Sequence, residues 1–378
     1  MPDAVRTELI ARADPVVVKV GTNVLADPAG SLDRARIQTL AEQLYRAQSG
    51  GRRVALVSSG AIGAGVGRLG LGRRPVDLPH LQACAAVGQC ALMQLYQECL
   101  APHGAHAAQI LLTAGDFDNR VRYLNARHTI LTLFEYGCLP VINENDTVSV
   151  AEIKFGDNDH LAAMVANLLQ APLLVLLTNV DGLFTADPRA DAAAKLVESV
   201  PHIDKSVIEM AAPTQSTLGT GGMRSKLRAA RLATAAGGAV VMANGSVDGV
   251  LDKVFAGEAI GTLFLPHREA LSARRRWLGL TARPRGAFRL DDGARKAVER
   301  DGRSLLPVGV TAIIGTFGKG DVVSLCDRDG IEFARGLTNY SSADAERIRG
   351  LATEQILRAI GKLPYVELIH RDNLAVVA

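Results

Sequence analysis

VVVKVGT, residues 16–22, is an apolar, valine-rich run that carries one lysine, Lys19, and ends at Gly21. Runs of this kind are typical of buried strands. Five further short apolar runs follow, separated by longer helical stretches such as Leu161–Leu169 and Met223–Ala236. The five predicted strands are Val54–Val57, Ala108–Leu112, Leu139–Ile142, Leu173–Thr178 and Ala239–Met242. Apolar strands that alternate with helices predict an α/β fold, with a mainly parallel sheet sandwiched by helices.

Polar or glycine residues stand where four of these strands give way to loops. Ligands of parallel sheets bind beyond the carboxyl ends of the strands. We therefore expect the four groups to converge on one face of the sheet. They are Lys19-Val20-Gly21, Ser58-Ser59-Gly60, Asn143-Glu144-Asn145-Asp146 and Thr178-Asn179.

A second glycine turn, GTGGMRSK at residues 219–226, runs into the predicted helix that begins at Met223. Glycines let the backbone approach a ligand closely, and a helix N-terminus offers unpaired N–H groups to an anion. Lys226 adds a cation beside those donors, as Lys19 does beside Gly21. Two lysines next to two glycine turns predict a phosphoryl-transfer site.

Each of these features also has a purely structural interpretation. Lys19 in an apolar strand could be ion-paired or could extend its ammonium group to solvent at the strand end. The segment Gly156-Asp157-Asn158-Asp159 could be an Asx turn that caps the next helix, although a capped carboxylate can also orient lysines. The cluster 143–146 could be a plain loop, and its side chains also suit recognition of a small zwitterion.

Other chemistries find little support in the sequence. There is no GxxxxGK[ST] motif, and GVGRLG at residues 65–70 comes too late after its strand for a dinucleotide turn, so we interpret it as a chance match. No HExxH motif or Ser/His/Asp order is evident. A carboxylate that accepts a phosphoryl group is already ionised near neutral pH and needs no general base. The difficulty is its repulsion from the nucleotide phosphates, which lysines, backbone N–H groups and Mg²⁺ reduce.

Composition and length limit the class of protein. With 378 residues, 48% hydrophobic and 21% charged, the chain predicts two globular domains. Five cysteines without a CxxC pair favour a reducing cytoplasm over a disulfide framework. The first fourteen residues contain three acidic groups and no apolar core, which argues against a secretory signal. No apolar run is long enough to predict a membrane span.

The sequence pattern changes after Arg274-Arg275-Arg276, where short apolar runs separated by glycines predict a small, barrel-like β domain. Residues 267–304 contain eleven Lys and Arg against five Asp and Glu. Such a basic stretch is compatible with nucleic-acid contact or with a solvated linker, and charge alone favours the linker. We predict a first domain over 1–268, a linker over 269–284, a second domain over 285–363 and a tail over 364–378.

Taken together, the motifs closely resemble the glutamate 5-kinases of the amino-acid kinase family, in the long form with a C-terminal PUA domain. The resemblance covers nearly the whole chain in order, and its combination of INENDTV, FGDND and GTGGM is specific. The segments that carry it are VVVKVGTNVL (16–25), VSSGAIGAG (57–65), LLTAGDFDNRVRYLNAR (111–127), PVINENDTVSVAEIKFGDND (140–159), LLTNVDGLFTADPR (176–189), GTGGMRSKLRAA (219–230), SLLPVGV (304–310) and FGKGD (317–321).

The resemblance implies transfer of the ATP γ-phosphoryl group to the side-chain carboxylate of L-glutamate, the first step toward proline. Lys19 and Lys226 would neutralise the transferring group, and Asp159 would hold the two lysines. Mg²⁺ carried by ATP, feedback inhibition by proline and a homo-oligomer, a dimer or a tetramer, are also implied. The residues implied for glutamate are Ser59, Gly60, Asp146, Asp157 and Asn158, and those implied for the nucleotide are Lys19, Thr178, Asn179, Thr220, Gly221, Gly222, Met223, Arg224, Ser225 and Lys226.

Two positions depart from the family pattern. Thr178 is followed by Asn179 where the family often has aspartate, which bears on nucleotide contacts and on the charge near Mg²⁺. Arg224 is larger than the small residues common at its place in the glycine turn. Neither departure removes a lysine or the GDND segment, so we expect catalysis to survive.

Three alternative functions remain open from the sequence. A related kinase could act on aspartate or N-acetylglutamate, but the PUA domain together with the INENDTV and GDND segments argues against it. An RNA-binding protein would explain the PUA domain and the basic stretch, but it would leave the segment around Lys19 unexplained. A regulatory protein without turnover would not require Lys19, Lys226 and Asp159. We expect the PUA domain to be structural or regulatory and RNA to be an improbable partner.

Overall fold

The computed structural model describes residues 4–26, 32–149, 158–211, 222–267, 277–351 and 365–376. The chain forms two compact units, Met1–Ala270 and Leu271–Ala378. In the described residues, no helix combines the length and the apolar character needed to cross a bilayer.

The described part of the first unit contains eleven α-helices and eight strands. The helices are α1 (Ala4–Ala11), α2 (Thr22–Leu25), α3 (Arg34–Ser49), α4 (Ala61–Arg68), α5 (Leu78–Leu100), α6 (Ala114–Asp118), α7 (Arg120–Glu135), α8 (Asn158–Leu169), α9 (Lys205–Met210), α10 (Met223–Ala235) and α11 (Val250–Phe255). The strands are β1 (Val16–Val20), β2 (Val54–Ser58), β3 (Ala107–Leu112), β4 (Leu139–Glu144), β5 (Leu173–Thr178), β6 (Ser199–Val200), β7 (Ala239–Asn244) and β8 (Thr262–Phe264).

The eight strands form one sheet in the order β3-β4-β2-β1-β5-β7-β8-β6. Every neighbouring pair is parallel except β7 and β8, which are antiparallel. All residues of β1, β2 and β5 are buried, because helices cover both faces of the sheet centre. The predicted α/β fold with a mainly parallel sheet is therefore confirmed.

Most predicted helices and strands agree closely with the observed ones. The differences lie at the polar ends of two elements and in two short strands. Strand β4 continues through Asn143 and Glu144, which we expected in a loop, because both remain paired in register with β3. The short strands β6, at one edge of the sheet, and β8, between β6 and β7, were not predicted. Helix α8 begins at Asn158, ahead of the predicted Leu161, because the three polar residues Asn158, Asp159 and His160 lie in its first turn.

The GVGRLG segment has a packing role that its interpretation as a chance match did not anticipate. Gly65 lies on α4, and a Cβ atom added there would be 1.8 Å from the carbonyl oxygen of Cys84 on α5. A Cβ atom added at Gly88 of α5 would likewise be 1.8 Å from the carbonyl oxygen of Ala61. The two helices therefore cross with their backbones nearly in contact, which only glycine allows at these two positions.

The second unit is built on a five-stranded sheet in the order β10-β9-β11-β12-β13. Its strands are β9 (Gly286–Leu290), β10 (Val310–Ile314), β11 (Val322–Cys326), β12 (Glu332–Leu337) and β13 (Leu374–Val376), and its α-helices within the described residues are α12 (Asp292–Glu299) and α13 (Ser342–Ile348). The pairs are antiparallel except β9 and β11, which are parallel. Phe288, Val323 and Leu325 are fully buried in its own hydrophobic core.

Two segments that we expected to lie outside this domain take part in its structure. Residues Trp277–Thr281, from the predicted linker, form a short π-helix that contacts β12 and β13. Strand β13 comes from the predicted tail and pairs with β12. The physical reason is apolar burial, since Trp277 and Leu368 are at most 2% exposed.

Candidate active site

Three charged side chains meet at the carboxyl edge of the central strands. The ammonium nitrogen of Lys19 lies 2.5 Å from Oδ1 of Asp159, and that of Lys226 lies 3.0 Å from Oδ2. Asp159 is 0% exposed, Lys19 is 5% and Lys226 is 8%. The cluster carries one net positive charge if all three groups are ionised, so one buried carboxylate holds two ammonium groups together.

The local environment keeps the Asp159 carboxylate ionised. Burial favours the neutral acid, but the attraction and hydrogen bonds of Lys19 and Lys226 outweigh it, so the pKa of Asp159 is lowered from its ordinary value. Asp159 also lies in the first turn of α8, where the helix dipole favours a negative charge.

The fold brings these three residues together from distant parts of the chain. Lys19 is the fourth residue of β1, which lies between β2 and β5. Helix α8 connects β4 to β5 and contacts β1, β2, β4 and β5, so its first turn faces the ends of the central strands. Helix α10 packs against α8 and carries Lys226 in its first turn.

Backbone without side chains lies next to the Lys19 ammonium group. A Cβ atom added at Gly21 would be 3.5 Å from Lys19 Nζ. Gly222 is the residue that precedes α10, with φ −77° and ψ 179°, and as a glycine it offers no side-chain cap to the helix. The site therefore combines two cations with glycine backbone, an arrangement suited to phosphate oxygens.

A hydrogen-bonded group of uncharged side chains lies beside the charged cluster. The amide nitrogen of Asn158 is 2.9 Å from Ser59 Oγ, 2.9 Å from Asn143 Oδ1 and 3.0 Å from the Ser58 carbonyl oxygen. Ser59 is 8% exposed and Asn143 is 2% exposed. The ends of β2 and β4 are thus joined to the start of α8.

Two more residues implied for the acceptor lie at strand ends. Gly60 has φ 102° and precedes α4, a left-handed conformation that favours glycine. Asp146 follows β4 in a half-buried turn. Asp157, also implied for the acceptor, lies outside the described residues.

The residues implied for the nucleotide differ in exposure. Thr178 is 4% exposed at the end of β5, and its hydroxyl group is 3.4 Å from Oδ1 of the exposed Asn179. Ser225 is buried, Met223 is half-buried, and the exposed Arg224 donates from Nε to the Ala211 carbonyl oxygen. Thr220 and Gly221 fall outside the part of the chain that the structure describes.

Sequence reasoning missed part of the uncharged group. Asn143 was recognised only as a member of the polar cluster 143–146, and Gln89 on α5 gave no signal at all. Gln89 accepts a hydrogen bond of 2.9 Å from the Asn143 amide. Its position in the middle of a long helix resembles that of any core-facing polar residue.

The donor set tests whether the site could hold a metal ion by itself. Within the described ranges, no three His, Cys, Asp or Glu side chains come close enough together to form a metal site. Mg²⁺ in sites that handle nucleotides is commonly held by one or two carboxylates together with the phosphates. In the charged cluster the carboxylate is that of Asp159, and both of its oxygens face lysine ammonium groups.

Comparison with known proteins defines the class to which this fold and site belong. Residues 14–244 match the model of the amino acid kinase family, and residues 286–360 match the model of the PUA domain. The matched region of the first unit includes Lys19, Asp159 and Lys226. The chain belongs to the amino acid kinase family.

The relatives that resemble the whole chain are glutamate 5-kinases. The enzyme from Pseudomonas syringae pv. syringae is 48% identical over 361 residues, which cover 96% of this chain and 97% of the relative. The enzyme from Geobacter metallireducens is 47% identical over 372 residues, covering 98% and 100%. These comparisons confirm the resemblance predicted from the motifs, including the PUA domain.

A solved structure shows a more distant likeness. The UMP kinase from Bacillus anthracis is 18% identical, with a TM-score of 0.47, and the match covers 67% of this chain and 96% of that one. At this distance the likeness carries no argument about the substrate.

Proposed function

We propose that this chain transfers the γ-phosphoryl group of ATP to the side-chain carboxylate of L-glutamate and so begins proline synthesis. A carboxylate oxygen forms the new bond to the γ-phosphorus, and the bond from that phosphorus to the bridging oxygen of ADP breaks. The products are γ-glutamyl phosphate and ADP. Two anions must approach each other, so electrostatic repulsion is the main difficulty of the reaction.

The observation that carries this proposal is the buried pair of ammonium groups on Asp159. Lys19 and Lys226 cannot separate without leaving that carboxylate uncompensated, so their positive charges are fixed before substrates bind. Fixed charges that require no reorganisation stabilise a developing negative charge most effectively. Asp159 acts as a positioning residue that holds both lysines.

The acceptor subsite is assigned to the uncharged group and its neighbours. Ser59 and Asn158 bind the amino acid, with Gly60 supplying backbone and Asp146 supplying a carboxylate for its ammonium group. The support for this assignment is the hydrogen-bonded contact of Asn158 with Ser59 beside Asp159. Asp157 is proposed for the same subsite from its position in the GDND segment.

The nucleotide subsite is assigned to the end of β5 and the start of α10. Thr178 and Asn179 contact the nucleotide, and the turn from Thr220 to Lys226 surrounds its phosphates. Mg²⁺ neutralises phosphate charge when it is bound, and it is held mainly by ATP. The support for this assignment is that the GTGGMRSK segment runs into α10, whose first turn carries Lys226.

The test is an assay for hydroxamate, formed when hydroxylamine traps the acyl phosphate, with ATP, Mg²⁺ and one of three acceptors. We expect L-glutamate to give product at a rate far above aspartate and N-acetylglutamate. Product from either of those acids at an equal or greater rate would contradict the acceptor assignment. Failure of folded protein to act on any of the three would contradict the kinase proposal and make RNA binding the next property to measure.

Three further properties belong to the proposal. Proline inhibits the reaction, the enzyme forms a dimer or a tetramer, and it acts in the cytoplasm. The same assay with added proline tests the first, and light scattering after gel filtration tests the second. An uninhibited rate at millimolar proline, or a monomer at all concentrations, would contradict the corresponding property.

A further inference from the structure

A chain of hydrogen-bonded side-chain amides joins β3, α5, β4 and the first turn of α8. Its two central members, Gln89 and Asn143, are buried, whereas Gln109 on β3 is exposed and Asn158 is half-buried. Gln89 Nε2 donates to Gln109 Oε1 at 3.0 Å, and Asn143 Nδ2 donates to Gln89 Oε1 at 2.9 Å. Asn158 Nδ2 then donates to Asn143 Oδ1 at 2.9 Å. Gln89 is 8% exposed, and Asn143 is 2% exposed. The chain therefore reaches the acceptor subsite through the protein interior.

Backbone groups at the inner end fix the direction of this chain. The Glu144 N–H group donates to Asn143 Oδ1 at 2.9 Å, so that atom must be the oxygen of the Asn143 amide. The Ser58 carbonyl oxygen accepts from Asn158 Nδ2 at 3.0 Å, so that atom must be the nitrogen of the Asn158 amide. Rotation of either amide by 180° would bring two donors or two acceptors face to face.

The amide nitrogen of Asn143 is a buried donor and needs a hydrogen-bond acceptor. Gln89 Oε1 on α5 supplies that acceptor. Gln89 directly follows Gly88, where α5 lies so close to α4 that an added Cβ atom would be 1.8 Å from the Ala61 carbonyl oxygen. The helix crossing and the amide chain therefore involve neighbouring residues of α5.

We infer that Gln89 is a positioning residue for the acceptor subsite, acting through Asn143 on Asn158. In the described residues its side-chain hydrogen bonds go to Gln109 and Asn143, neither of which is assigned to ATP, and the path toward the amino acid runs through Asn143 to Asn158. This inference rests on the proposed function, because the subsite it serves is the one assigned to glutamate. Loss of the Gln89 acceptor therefore weakens glutamate binding and leaves nucleotide binding unchanged.

The test is steady-state kinetics of Gln89→Met, which keeps the length of the side chain and removes its hydrogen-bonding atoms. We expect the KM for glutamate to rise about tenfold, in keeping with a buried donor left unpaired, and the KM for ATP to stay within twofold. Gln89→Glu keeps an acceptor oxygen for Asn143, so we expect it to restore most of the glutamate affinity. Gln94→Met, on the exposed side of the same helix, serves as the matched control.

The outcomes separate the inference from the function on which it rests. A wild-type enzyme that does not phosphorylate glutamate contradicts the proposed function, whatever the variants do. An active wild type with an unchanged glutamate KM in Gln89→Met contradicts the role of Gln89, as does an equal rise in both KM values. If Gln89→Met does not fold, Gln89→Leu is measured in its place and interpreted in the same way.

Discussion

Lys226 on α10 donates a hydrogen bond of 3.0 Å to the carboxylate of Asp159 on α8. Asp159 has no exposed surface, so the negative charge that accepts this bond is entirely removed from solvent. A buried charge is tolerated only when it is paired. The candidate catalytic cluster is therefore also part of the packing between two core helices, and changes to its charge affect both stability and activity.

Replacing Asp159 by asparagine is expected to destabilise the first unit. The variant removes the buried negative charge that faces both ammonium groups, and loss of one partner of a buried pair costs about 3–5 kcal/mol. Asp252→Asn removes the acid of an exposed pair with Arg46 and should cost less than about 1 kcal/mol. Urea unfolding measures both free energies. Equal small losses would show that the Asp159 charge is not needed for stability.

We expect the stability of the folded protein to change with pH as Asp159 is protonated. The pKa of Asp159 is lower in the folded state, so its contribution to the free energy of unfolding is present above the ordinary aspartate pKa of about 3.9. The contribution is lost as the pH falls below that value through the folded-state pKa. We expect the stability difference between the wild type and Asp159→Asn to be constant above about pH 5 and to narrow only below pH 3.9. A difference that narrows between pH 7 and 5 would contradict this account.

Removing either lysine charge should reduce turnover far more than it reduces the amount of folded protein. We expect Lys19→Met and Lys226→Met each to lower kcat by about 10²- to 10³-fold, the loss that follows removal of one group aimed at developing charge. Lys205→Met, on an exposed helix, is the control and should be fully active. Circular dichroism establishes folding, and hydroxamate formation measures the rate. A folded Lys19→Met variant with wild-type kcat would remove Lys19 from the mechanism.

The crossing of α4 and α5 gives a prediction that is independent of chemistry. Gly65→Ala places a methyl group 1.8 Å from the Cys84 carbonyl oxygen, so the helices must separate. We expect a loss of at least about 1–3 kcal/mol in unfolding free energy, as in other overpacked cores. Gly72→Ala is the matched control, because a Cβ atom there meets nothing within 4 Å. Equal melting temperatures for the two variants would contradict the close crossing.

The longer strands of the sheet could be predicted from sequence, whereas the short strands β6 and β8 could not. Strands β1, β2 and β5 are buried on both faces, so their residues are almost all apolar and stand out from the helices. Strand β6 has only two residues, Ser199–Val200, and no pattern can form over that length. The sequence also placed the chemically active groups at strand ends, which is where Lys19 and Ser59 lie.

Residue spacing alone could not predict the contacts between those groups, although the family resemblance implied that Asp159 holds the two lysines. That Asp159 meets both lysines depends on the packing of α8 against α10, which residue spacing does not determine. Asn143 looked like a loop residue because a polar side chain in a buried strand is costly without partners. Its partners come from Asn158 and from Gln89, which are far from it in sequence. The roles assigned to all of these residues remain predictions.

The most direct test of the central claim uses L-glutamate labelled with ¹⁸O in its side-chain carboxylate, together with ATP, Mg²⁺ and hydroxylamine. If a glutamate oxygen attacks the γ-phosphorus, hydroxylamine then releases phosphate that retains this oxygen. The account predicts one ¹⁸O atom in each phosphate released, seen as an isotope shift in the ³¹P spectrum, and one phosphate for each hydroxamate. Unlabelled phosphate at the same rate would mean that water is the acceptor and would contradict the account.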